Sequence, residues 1–179
     1  DALLPEMDAI LQNVAQEWKD LKCYDFVGSG FDYATAWFGQ AKMLEANGKF
    51  AMHINTEEWF HLNFFARDAV HMGTVVVGNT TSPGFSRTKE MVKYAKVLGR
   101  PLMVITDGGI EDFGEDAIYI KVPSPKYPFH MPVTQFAPVC LLAGYISVLI
   151  GEKYGRGCAG AWSFCEGGHC VKNSEIIIK

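Results

Sequence analysis

Short apolar runs alternate with helical stripes along most of this chain. Cys23–Gly28 (CYDFVG), Lys49–Ile54 (KFAMHI), Thr74–Gly78 (TVVVG), Leu102–Thr106 (LMVIT) and Ala117–Val122 (AIYIKV) read as strands. TVVVG and LMVIT are apolar nearly throughout, the pattern of strands covered on both faces of a parallel sheet. Between the runs the period changes. Leu3–Leu21 sets Leu3, Met7, Ile10, Leu11, Val14 and Trp18 along one stripe at helical spacing. Tyr33–Asn47 predicts a second helix, stopped by Asn47-Gly48, and Ser86–Leu98 a third, stopped by Gly99. Alternating units of this size imply a single doubly wound α/β domain.

One run departs from that rhythm. From Val133 to Ile150 there are 18 residues without a charge. The length alone suits a membrane span. Thr134, Gln135, Pro138 and Ser147 interrupt it, however, and no Lys or Arg flanks it. It therefore reads as a helix buried on most of its sides, in the core or at a subunit interface, with no membrane partner.

Composition narrows the function classes. The chain has 179 residues, 49% hydrophobic and 20% charged, enough for one packed domain and too apolar for disorder. Sixteen Lys and Arg against 20 Asp and Glu leave a net charge of −4 without a basic block, which excludes a general nucleic-acid binder. Five cysteines, an odd number, make no disulfide framework and suit the cytoplasm. No signal peptide is visible at the first residues, and the chain does not begin with Met, so it reads as a trimmed or partial chain. From Tyr154 onward the sequence is a Gly-rich tail ending in VKNSEIIIK. The expected division is a domain over 1–153 and a tail over 154–179 that docks on it.

Candidate chemistry gathers at the loops. The first strand ends in Gly28-Ser29-Gly30 and opens into a helix, where backbone N–H groups can approach an anion. The third glycine of the dinucleotide fingerprint is missing and no acidic residue closes the second strand, so no nucleotide cofactor is expected. Lys42 and Glu45 stand three residues apart on one helical face, a spacing that also suits an ordinary ion pair. Past the second strand come Glu57, Glu58 and His61. Glu58 and His61 share a face, with a merely structural histidine as the alternative. Cys158, Cys165, His169 and Cys170 lack the spacing of a zinc knuckle, so no metal is expected and the thiols read as idle.

Together these residues resemble a known family. GSGFDYATAWFGQAKMLEANGKFAMHINTEEWFH is similar to the sugar isomerase (SIS) domain, in particular its second copy in glucosamine-6-phosphate synthase and fructosamine-6-phosphate deglycases. The family's Gly-x-Gly loop matches Gly28-Ser29-Gly30, its tyrosine Tyr33, and its Lys-x-x-Glu the run from Lys42 to Glu45. Its Glu-x-x-His turn matches Glu58 to His61, and its terminal Leu-Ala-Lys-Ser-Val resembles Cys170 to Ser174. The chain departs from the pattern at Ser29 (often Arg), at Phe38 (an acid) and at Leu62-Asn63 (Gly-Pro).

The resemblance implies a flavodoxin-like three-layer αβα sandwich with a five-stranded parallel sheet in the order 2-1-3-4-5. It also implies the carboxyl-terminal half of a phosphosugar isomerase or deglycase, acting as a homodimer or larger assembly beside an amino-terminal SIS copy. Glu45, His61 and Lys172 would carry proton transfer and carbonyl chemistry. Gly28, Ser29, Gly30, Lys42 and Glu58 would contact the sugar, without metal or cofactor. The alternative is a phosphosugar-sensing module that turns nothing over. Glu45 is expected at the sheet's carboxyl edge, meeting His61 only across a two-fold axis. In the loop Asn79–Thr88, Ser82, Ser86 and Thr88 offer donors to a phosphate, but a solvated turn capped at Ser86 is the favoured reading.

Overall fold

The computed structural model describes residues 3–153 and 155, so the expected tail, with Cys158, Cys165, His169, Cys170 and Lys172, lies outside the described residues. Five strands form one parallel sheet. β1 (Cys23–Gly28) lies between β2 (Phe50–Asn55) and β3 (Met72–Gly78), and β4 (Leu102–Thr106) and β5 (Ile118–Lys121) extend the sheet past β3. The order is β2-β1-β3-β4-β5, as expected. Cys23 pairs with Phe50 and with Met72, and Gly28 with Asn55. Strand limits shift from the sequence expectation by a residue or two, the usual uncertainty of element ends.

Alternation along the strands divides the core. Tyr24, Phe26, Val75, Met103 and Ile105 face a layer made by α1 (Leu4–Trp18), α2 (Asp32–Asn47) and α5 (Met131–Leu149). Val27, Val76 and Val104 face the other way, toward Trp59 and Met91 on α3 (Thr56–His61) and α4 (Phe85–Val97). Two glycines answer to steric demands at this edge and layer. A Cβ on Gly28 would stand 2.6 Å from the carbonyl oxygen of Asp32, and Gly30 adopts φ +60°, the left-handed region.

α5 meets the core along one side. Met131, Gln135, Pro138, Val139, Leu142, Ala143 and Ile146 are buried against α1, α2 and the sheet. Val133, Ala137, Cys140, Gly144 and Val148 form an exposed stripe at helical spacing. The helix is thus covered on its inner side only. Among the described residues it is the one helix long and apolar enough to cross a membrane, and its inner face serves the core instead.

Two buried carboxylates interrupt the apolar layers of the described residues. Asp25, on β1, accepts from Arg100 Nη1 at 2.7 Å; the same nitrogen donates to Thr74 Oγ1 at 3.2 Å, and Nη2 donates to the carbonyl of Asn63. Arg100 also sits 5.2 Å from the Trp59 ring, a cation–π contact inside the core. Burial pushes the Asp25 carboxyl above the usual range, partly offset by the guanidinium. The other buried carboxylate, Asp32, belongs to the candidate site.

Candidate functional site

In an open parallel sheet ligands bind outside the carboxyl ends of the strands, where strand order reverses. Here that point lies between β1 and β3. The loop after β1 leads into α2 on one face, and the loop after β3 leads into α4 on the other. A cavity of about 280 Å³ opens between them. Gly30 and Phe31 line one side, Asn79, Thr81, Ser82 and Pro83 the other, and Pro128 completes the lining. A shallower hollow of about 400 Å³ on α4, beside Ser86, Lys89, Lys93 and Asp112, is more open to solvent and lies away from the switch point.

A buried network holds the walls in place. Asp32, in the first turn of α2, accepts from Asn79 N at 3.1 Å, from Asn79 Nδ2 at 2.9 Å and from Gln135 Nε2 at 2.7 Å. Thr35 Oγ1 donates to Gln135 Oε1 at 2.7 Å. α2, the β3 loop and α5 therefore meet at one carboxylate. Burial raises its pKa, against the lowering effect of the Asn79 and Gln135 hydrogen bonds.

The β3 loop is closed on itself. Thr80 N donates to Asp107 Oδ1 at 2.8 Å and Thr80 Oγ1 to Asp107 Oδ2 at 3.1 Å. Ser124 Oγ donates to the same carboxylate. Thr81 N and Oγ1 both donate to Asn79 Oδ1, Ser82 N to the Asn79 carbonyl, Gly84 N to Ser82 Oγ and Phe85 N to the Ser82 carbonyl. Pro83 has no N–H, so every peptide donor from Asn79 to Phe85 already has an internal acceptor. The expected cap at Ser86 is not formed: α4 starts at Phe85, with Gly84 as an N-cap lacking a side-chain bond, because Ser82 folds the turn one step earlier.

Ser29 stitches two strand ends together. Its hydroxyl donates to Asn55 Oδ1 at 3.3 Å and accepts from Thr56 N at the same distance. Asn55 in turn caps α3 by accepting from Glu57 N. His61 ends α3, but its partner is Glu57, not Glu58: Nε2 lies 3.1 Å from Glu57 Oε1. Arg87 holds that carboxylate from the other side, with Nε donating to Glu57 Oε2 at 2.6 Å. The guanidinium also lies 3.6 Å from the Phe60 ring centroid. Hydrogen bonds from Arg87 and then His61 hold the Glu57 carboxyl below its ordinary range. Glu58 is exposed and has no side-chain partner among the described residues.

Glu45 lies elsewhere. A helix joining two parallel strands must return the chain to their starting edge, and α2 does so, ending at Asn47 just before β2 begins at Phe50. Its last turn, with Glu45 bound to Lys42, therefore stands at the sheet's amino edge. The expected carboxyl-edge position is incorrect. Glu45 and His61 do not meet within the chain, and each holds a neighbour on its own helix. Phe38 stacks on Phe136 at 4.3 Å. Among the described residues no three His, Cys, Asp or Glu side chains gather as a metal would require.

Sheet order, layering and switch-point cavity define a class, the flavodoxin-like doubly wound α/β fold, and solved sugar isomerase domains share it. The match in particular is to the C-terminal domain of glucosamine-fructose-6-phosphate aminotransferase from Francisella tularensis, with a TM-score of 0.76 at 18% identity, covering 86% of this chain and 43% of that one. Tagatose-6-phosphate ketose/aldose isomerase from Escherichia coli follows it with a TM-score of 0.64 at 16% identity, covering 81% and 42%. The sugar isomerase domain of the RpiR transcription factor from Sphaerobacter thermophilus matches with a TM-score of 0.62 at 18% identity, covering 79% and 78%. The chain spans less than half the length of the first two. No protein-family model matches it, and no curated protein matches it in sequence.

Proposed function

We propose that this chain is a phosphosugar-handling SIS domain, the second half of an aldose–ketose isomerase or fructosamine-phosphate deglycase. The observation that carries the reading is the separation of its candidate groups. His61 and the switch-point cavity stand at one edge of the sheet, Glu45 and Lys42 toward the other. A carboxylate at the amino edge cannot reach a sugar at the carboxyl edge of its own sheet, but it can serve one held by a neighbouring domain or subunit. In that assembly Glu45 is the base that moves a proton between C1 and C2, and His61 assists at the sugar oxygen. Lys172 handles the carbonyl. The exposed apolar stripe of α5 supplies contact area for a homodimer or larger assembly, in the cytoplasm.

The test is isotope exchange in heavy water. A protein carrying these residues beside a first SIS copy washes deuterium into C1 or C2 of its sugar phosphate. The 179 residues alone do not, because the phosphate grip belongs to the other copy. Exchange by these residues alone would overturn the half-site reading. One observation favours a second reading, a non-catalytic sensor: the described acid and base candidates are each held by a same-helix neighbour and not by one another. Binding of the sugar phosphate by the whole protein without any exchange would select it.

A further inference from the structure

The loop after β3 is where this fold offers donors to an anion, and here two carboxylates already occupy those of Asn79 and Thr80. Asp107 takes the Thr80 amide, the Thr80 hydroxyl and the Ser124 hydroxyl; Asp32 takes the Asn79 amide and side chain. A phosphate entering this loop would have to expel a carboxylate that makes the same kind of bonds. It would otherwise sit beside that carboxylate as a like charge, in a site where low dielectric strengthens repulsion. Among the described residues neither Lys nor Arg lines the cavity. Lys121, which is bound to this loop system, spends its ammonium on the carbonyls of Asp107 and Gly108.

What the cavity does present is an apolar wall and a few neutral polar atoms. Phe31 is 51% exposed at its edge, facing a space also lined by Pro83 and Pro128. Tyr127 and Phe129, on either side of Pro128, stack at 5.7 Å and are both exposed. Ser82 Oγ accepts from Gly84 N and keeps its own hydrogen to donate. Flat apolar faces beside a hydroxyl free to donate suit the C–H face and hydroxyls of a sugar. The volume, about 280 Å³, is enough for one hexose.

The geometry points to a subsite for the uncharged, polyhydroxylated part of a sugar, with phosphate kept out of the β3 loop by Asp107 and Asp32. The inference rests on the proposed function and deepens it: this half grips carbons and hydroxyls, and the phosphate is held elsewhere. Fructose, fructose 6-phosphate and inorganic phosphate, titrated separately into the 179-residue chain and followed by amide chemical shifts, test it. The expected result is that the two sugars shift Gly30, Thr81 and Ser82 with dissociation constants within about threefold of one another, while inorganic phosphate leaves them unmoved. In Asp107→Asn the phosphorylated sugar should gain about tenfold over the neutral one, as a like charge is removed from the loop.

Fructose 6-phosphate binding at least about tenfold tighter than fructose in the unaltered chain, with inorganic phosphate competing, would overturn the inference and leave the phosphosugar reading intact. Failure of both sugars to shift these amides would also overturn it. The wider reading then stands or falls separately, on isotope exchange in the whole protein. A folded Asp107→Asn chain with an unchanged ratio of affinities would show that Asp107 does not set the preference.

Discussion

Replacing Arg100 by Met tests the electrostatics of the core. The substitution keeps the apolar length of the side chain and removes the guanidinium, leaving Asp25 at 0% exposure with no counter-charge. The Asn63 carbonyl and the Thr74 hydroxyl lose a partner in the same step. Breaking a buried pair from one side typically costs about 3–5 kcal/mol. Domains of this size hold only about 5–15 kcal/mol in all. With a urea slope near 2 kcal/mol per molar, the midpoint should fall by roughly 2 M.

A pH series sharpens the same experiment. Burial already raises the Asp25 carboxyl with Arg100 present, and loss of the guanidinium raises it further. The folded state then binds more protons than the unfolded one between the ordinary carboxylate pKa, about 3.9, and the raised value. Stability of Arg100→Met should therefore be greatest at acid pH and decline as pH rises through that window, over a wider span than in the unaltered chain. Fluorescence of the buried Trp18 and Trp59 reports unfolding directly. Adding Asp25→Asn should recover a large part of the loss, since a neutral amide costs less to bury than a charge. A single substitution costing under about 1 kcal/mol, or a double variant no more stable than Arg100→Met, would refute the assigned role of the pair.

Other expectations follow from separate parts of the molecule. In the whole protein Glu45→Gln should lower turnover by about 10²–10⁴-fold. Mixing it with inactive His61→Ala should restore up to half of the activity per dimer, and no recovery despite proven subunit exchange would remove the shared-site mechanism. Glu57→Ala should free the His61 ring, which now must hold its hydrogen on Nε2 to donate to that carboxylate; long-range proton–nitrogen correlation spectra would report a mixed tautomer where the unaltered chain has one. Gly39→Ala would place a Cβ 2.2 Å from the Phe26 ring and should cost about 1–3 kcal/mol in denaturant titration. Gly144→Ala, with open space around it in α5, should instead gain about 0.5–1 kcal/mol. Light scattering at micromolar concentration should find a dimer or larger, and a soluble monomer over that range would remove the interface role of the α5 stripe.

Strands and helices were legible because their signal is local. TVVVG and LMVIT are apolar without alternation since helices cover both sheet faces, and the α1 stripe carries its own period. Polar pairing across long separations leaves no such mark. Asp25 and Arg100 are 75 residues apart, and Asp32 and Gln135 are 103 apart, so neither window-based pattern nor composition links them. Glu57 was passed over for Glu58 because both lie on the helical face of His61, and only the rotamers and Arg87 decide between i+3 and i+4. Glu45 is different. Its amino-edge position follows from parallel topology alone, since a helix joining two parallel strands ends where the next strand starts.

The clasp at Asp32 constrains how this chain can be cut. Its carboxylate sits in the first third of the sequence, and one of its donors comes from α5, after all five described strands have been laid down. A fragment ending before Met131 would bare the inner faces of Tyr24, Phe26 and Met103 and leave that carboxylate short of a partner in a site with little water. Fragment complementation should therefore succeed only when the piece bearing α5 is supplied in trans. A circular permutant opened in the exposed stretch between β5 and α5 keeps the clasp in one molecule and should remain foldable.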